Sequence, residues 1–208
     1  MRYIQYAFLL LLLLPWLGAS ASEIDEVPPC SGNDCDLVAS PVQWVSASRP
    51  TDGQTVRIGR FAFTVPAGAE IRHSGDTLFL YYQSKTKRHL SFRLNTPADL
   101  SLSRNQLVTM HYADVVTIQF TKTTKDAEPK QLVERNIWRS ALHAKSIFLS
   151  PNKEAFYSQK NGKQVAFGER PDGRLFCFVA HGKSPDAFVQ IEAVGFTLNE
   201  IKQLAFQE

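Results

Sequence analysis

His111-Tyr112-Ala113-Asp114 is the place in this chain where an imidazole and a carboxylate stand three residues apart on what reads as a helix. Positions i and i+3 share a helical face. An imidazole ordered by a carboxylate can act as a base toward a Ser or Cys nucleophile. His111 also falls in the stripe Leu107, Met110, His111, Val115 and Ile118. It is therefore expected to be partly buried and hydrogen-bonded to a neighbour. His111 and Asp114 are the catalytic candidates only if the chain is an enzyme.

The three cysteines offer redox, metal or structural chemistry. Cys30-Ser-Gly-Asn-Asp-Cys35 closes a short loop around Gly32-Asn33, a turn-forming pair. A redox dithiol needs Cys-x-x-Cys in a βα context, and zinc needs two further ligands. A local Cys30–Cys35 disulfide is the expectation. Pairing with Cys177 and a redox or metal role are the alternatives. Cys177, inside Leu175-Phe-Cys-Phe-Val179, reads as a buried thiol acting as a small hydrophobe.

Lys85, Lys87, Arg88 and His89 form the densest basic run. It reads as a solvated turn between two strands, where lysine also protects sheet edges. The same run is the candidate patch for weak contact with an anionic envelope surface.

Other chemistries lack their parts. No nucleophile elbow, phosphate loop, dinucleotide glycine fingerprint or helical zinc pair occurs. No metal site and no cofactor is expected. The net charge of +3 and a pI near 8.8 are too mild for a nucleic-acid partner. Charged residues at 21% and hydrophobic residues at 44% suit a globular chain and argue against disorder or a coiled coil.

The N-terminus reads as an export signal. Arg2 precedes the leucine-rich run Ala7 to Leu14, Pro15-Trp16 breaks it, and Ala19-Ser20-Ala21 fits the small-x-small rule for cleavage after Ala21. The apolar stretch from Ile4 to Leu17 is shorter than the roughly 20 residues a membrane helix needs. Residues 1–21 are therefore expected to be removed, leaving no transmembrane segment. The product would be periplasmic or secreted, where a disulfide is permitted.

These residues must be held by the elements behind the signal. Residues 22–54, with Pro28, Pro29, Pro41 and Pro50, read as a low-order leader carrying the Cys30/Cys35 loop. Within it Val42-Gln-Trp-Val45 reads as an edge strand or a packed tail. Residues 55–208 read as one α+β domain. Strand signals cover 60–65, 70–73, 77–83 and 88–94. The capping box Ser103-Arg-Asn-Gln106 opens a helix reaching about Ile118, with 115–120 open to either helix or strand. A second helix carries Leu132, Val133, Ile137, Trp138, Ala141 and Leu142. Strand patterns follow at 144–149, 154–159, 163–168, 174–180 and 188–194, with Asn161-Gly162 as a hairpin turn. Thr197-Leu-Asn-Glu200 caps a last helix. The order implies a single antiparallel, largely meander sheet covered by about three helices, in the manner of an α-β-α sandwich.

Three functions fit. The first is an exported, soluble, non-catalytic protein that binds another macromolecule, a protein partner, in the envelope as an accessory, inhibitor or immunity-type factor. The second is a carrier of a small apolar ligand between sheet and helices, which requires a closed apolar cavity. The third is an exported hydrolase whose site is unrecognised.

Overall fold

Alternating apolar residues become strands across most of the chain. The computed structural model describes residues 25–47, 52–83, 87–100, 107 and 109–207. The expected signal peptide, Lys85 and the capping box at 103–106 lie outside the described residues. The fold is α+β, with an eight-stranded sheet in the order β1-β7-β8-β9-β10-β6-β5-β4. Its strands are β1 (Ser40–Pro41), β4 (Ala69–Ser74), β5 (Thr77–Tyr82), β6 (Arg88–Asn95), β7 (Ala155–Lys160), β8 (Lys163–Glu169), β9 (Leu175–His181) and β10 (Ser184–Val194). A separate hairpin pairs β2 (Gly53–Ile58) with β3 (Phe61–Pro66). The helices are α1 (Asp114–Thr121), α2 (Leu132–His143), the single-turn α3 (Lys145–Phe148) and α4 (Leu198–Ala205).

The sheet is mixed and is not one meander. β4-β5-β6 and β7-β8-β9-β10 are two antiparallel meanders joined along β10 and β6, with Ile191 opposite Phe92. The helical connection after β6 delivers the chain to β7, three strands away from β10. The second meander then walks back to close against the first. β1 lies parallel on β7, with Ser40 opposite Phe156. Strand β5 is second from the edge of the sheet: Leu78 and Leu80 are buried, while Tyr81 is 37% exposed.

Each sheet face packs on its own layer. One face presents Leu80, Phe92, Val179 and Ile191 to the β2–β3 hairpin and to Ile201, Leu204 and Ala205 of α4. The other face presents Ala166, Phe176, Phe178 and Phe188 to α1 and α3. There Phe120 stacks on Phe176 at 5.5 Å, and Phe148 meets Phe178 edge-on at 4.9 Å. Such ring pairs add about 0.5–1.5 kcal/mol each beyond the area they bury.

Two segments depart from their sequence pattern. Residues 144–149, expected to be a strand, form α3 and its flanks, because Lys145 is wholly buried and is used from a helical turn. Its ammonium donates to the carbonyls of Leu37 and Lys122, in the leader and at the end of α1. Residues 115–120 are helical, but α1 begins only at Asp114.

The leader, over its described residues 25–47, runs against the domain. Val27 N–H donates to Asn136 Oδ1 at 2.8 Å, and Ala39 N–H to the Phe120 carbonyl at 2.9 Å. Asp36 accepts from the Thr124 N–H and hydroxyl, which holds its carboxyl below its ordinary pKa. Trp44 meets Phe206 edge-on at 4.9 Å on the opposite layer. Asn136 and Arg139 of α2 and Lys145 of α3 donate to the leader carbonyls of Asp25, Val27 and Leu37.

Candidate functional site

The hairpin turns determine where charge collects. Asn161 (φ 51°) and Gly162 (φ 75°) form the tight two-residue turn that the right-handed twist of β7 and β8 favours. The β9–β10 turn carries Gly182-Lys183, and the β2–β3 turn carries Gly59-Arg60. In an up-and-down meander, alternate turns share an end of the sheet, so the first two turns are neighbours. Gly182 N–H donates to the Gly162 carbonyl at 2.7 Å. The Arg60 guanidinium reaches the Lys183 carbonyl at 3.5 Å, bringing the third turn alongside.

These turns, with Trp44 and the chain end at Gln207, border an open cleft of about 690 Å3. Its described lining residues include Arg60, Lys160, Lys163, Lys183 and His181, and no Asp or Glu. Buried Phe61, Phe63 and Val179 form its floor. Lys163 is held in place: its ammonium donates to the Gln207 carbonyl and lies 5.3 Å from the Trp44 ring centre. Arg60, Lys160 and Lys183 are exposed. His181 Nδ1 accepts from the Lys183 N–H at 2.9 Å. Desolvation first, then Lys163 and Lys183, pushes the His181 pKa below its ordinary value. The imidazole is thus neutral near pH 7, and the cleft's charge comes from Lys and Arg. A recess with four cations attracts carboxylates, phosphates or sulfates at long range.

The sequence-derived candidates are distributed differently. His111 is exposed, not partly buried, because it precedes α1 rather than lying within it. Its backbone N–H, not its ring, donates to Asp114 Oδ2 at 2.8 Å, and Asp114 N–H returns a bond to the His111 carbonyl. The carboxylate is therefore engaged in starting the helix and is not shown ordering an imidazole. Within the basic run, Arg88 and His89 point to opposite sheet faces, as successive strand residues must. Arg88 pairs with Glu200 at 2.5 Å and lies over the Phe196 ring. His89 sits beside the Tyr81 ring at 5.6 Å, and its pKa is lowered by desolvation and then by Arg174. Lys87 is exposed. The run is thereby split between two faces.

The Cys30–Cys35 disulfide is formed, and Cys177 is a buried free thiol whose pKa is pushed up to about 12 by desolvation. No group of His, Cys, Asp and Glu suited to a metal ion occurs among the described residues. Likewise, no described helix is long and apolar enough to cross a membrane. Between α4 and the sheet, Val42, Phe156, Phe167 and Leu198 line a shallow apolar groove of about 240 Å3. That is below the roughly 300 Å3 at which small-molecule sites begin.

The cleft cations escaped the sequence because each stands alone in its own turn. The signal that was available is meander parity, which puts the 161–162 and 182–183 turns at one end. No protein-family model matches the chain. No curated protein matches it either.

Proposed function

We propose that this chain is an exported, non-catalytic protein that binds an acidic macromolecular partner, a protein of the cell envelope, through the cleft of Arg60, Lys160, Lys163 and Lys183. The observation that carries this reading is the lining itself: the exposed cations Arg60, Lys160 and Lys183 gather around one recess, with no Asp or Glu among its described lining residues. Like-signed side chains gathered in a concavity repel one another, so their arrangement makes sense against an opposing charge. Export follows from Arg2, the leucine run and Ala19-Ser20-Ala21, with cleavage after Ala21 and a periplasmic or secreted product. The Cys30–Cys35 bridge agrees with an oxidising compartment.

The test is capture of a crosslinked partner from envelope extract by the mature protein and by an Arg60→Glu/Lys183→Glu variant. Wild type should capture an acidic partner when crosslinked at low salt, and progressively less as the salt present during crosslinking rises. The variant, with an unchanged melting temperature, should capture none. Equal capture by both proteins would remove the cleft from the function.

A further inference from the structure

Gln207 occupies the outer edge of β3 as a neighbouring strand would. Its side-chain Oε1 accepts from the Thr64 N–H at 2.6 Å, and its Nε2 donates to the Thr64 carbonyl at 2.7 Å. Both backbone groups of Thr64 therefore point away from β2. In an antiparallel pair, residues alternate between exchanging hydrogen bonds with the partner strand and facing outward. Thr64 lies opposite Thr55, and Ala62 lies opposite Arg57, two residues along. Ala62 thus directs its N–H and C=O to the same outer edge as Thr64. Among the described residues no hydrogen bond takes this outward pair. Ala62 is exposed and lines the cationic cleft, two residues from Arg60.

We propose that the cleft takes an extended acidic peptide segment, which continues the rung begun by Gln207 and adds as a short strand to β3 at Ala62. The proposal rests on the acidic-partner reading and names the form that partner takes. A donor and an acceptor side by side on a strand edge match a peptide unit, which offers both. Sulfate and the phosphate of a phosphodiester only accept hydrogen bonds, so they satisfy the cations and leave the Ala62 carbonyl unmatched. The open rung is short, so Arg60, Lys183 and Lys160 supply most of the attraction and the backbone pair sets direction and register. Side chains of an added strand alternate between faces, so acidic residues are expected at every second position.

The probe is a random octapeptide display library selected on the oxidised mature protein. The best peptide is then measured by fluorescence anisotropy, with phosphatidylglycerol vesicles as a second ligand. Enrichment of Asp and Glu at alternate positions is expected. Ala62→Pro removes the outward N–H without touching the β2 ladder, a substitution that edge strands tolerate. It should weaken the peptide about tenfold, the scale of one well-placed hydrogen bond. N-methylation of one backbone amide of the peptide should do the same, and this arm needs no protein variant. Arg60→Glu/Lys183→Glu should abolish binding. Binding lost on charge reversal but indifferent to Ala62→Pro and to every N-methylation would overturn strand addition and leave the acidic-partner reading standing. Binding indifferent to charge reversal would overturn both. Vesicles bound with the same charge dependence, and no peptide enriched, would overturn the peptide in favour of a lipid surface.

Discussion

The N–H of Gly182 bonds the carbonyl of Gly162 at 2.7 Å, fastening the β9–β10 turn to the β7–β8 turn. The contact depends on Gly162 holding φ at 75°, a left-handed value that a side chain opposes. Gly162→Val should cost roughly 1–2 kcal/mol. In a domain of this size that is about 2–8 °C in melting temperature. The same variant should weaken capture by the cleft, because Lys160, Lys163 and Lys183 flank the two turns. Calorimetry beside a capture assay checks both effects.

Lys145 is the buried cation that joins the leader to α1. Its ammonium donates to the Leu37 and Lys122 carbonyls, with Asp36 and Asp126 close enough to support its charge. Desolvation outweighs that support and pushes the pKa down to about 8 from 10.5. Between those values the unfolded chain binds more protons at this site than the folded one, so this residue's contribution to stability rises with pH. Below pH 8 the lysine is charged in both states and its desolvation penalty is complete. Wild type should therefore gain stability relative to Lys145→Met as pH climbs from about 8 to 10.5. At pH 7 the Met variant leaves two carbonyls short of a donor and should lose about 1–3 kcal/mol. Denaturant melts of the pair across this pH range test the sign.

Cys35 is 3% exposed, and Cys30 packs with Trp138, Ala141 and Leu142 at the α2 layer. The bridge spans a sequence separation of 5, for which chain entropy gives only about 2 kcal/mol. Reduction, or Cys30→Ser with Cys35→Ser, should lower the melting temperature by a few degrees and leave the domain folded. Hydrogen exchange should rise most in residues 25–39. Peptide mapping without reductant should recover the link within one peptide and Cys177 as a thiol.

His111→Ala should leave the melting temperature within about 1 °C of wild type, since exposed side chains away from special features change stability little. Asp114→Ala removes the acceptor of the His111 N–H and a carboxylate at a helix start, which should cost about 1 kcal/mol. Paired thermal melts decide between this arrangement and a buried, load-carrying imidazole. A hydrolytic activity lost in His111→Ala at unchanged stability would make the protein an enzyme at this site.

Local rules made much of this chain legible. Asn161-Gly162 admits the positive φ angles of a tight hairpin, and the turn stands where that pair is. Thr197 and Glu200 satisfy each other's backbone donors, so α4 starts at Leu198 as the capping box requires. The six-residue spacing of Cys30 and Cys35, counting both, closes a loop without help from the rest of the fold. Period-two alternation likewise put Leu90 and Phe92 inside. What the sequence left open depended on groups far apart in the chain. Lys145 is helical and buried because carbonyls at 37 and 122 need its protons, while the local pattern at 144–149 reads as a strand. Arg88 and His89 look like one patch in sequence, yet the pleat sends them to opposite faces, one toward Glu200 of α4 and the other beside Tyr81. Arg60, Lys160 and Lys183 look like three unrelated solvated turns. Only the β7–β10 meander, which brings two of these turns to one end of the sheet, with the β2–β3 turn laid beside them, gathers their charges around one cleft, because electrostatic attraction depends on separation in space and not on separation along the chain.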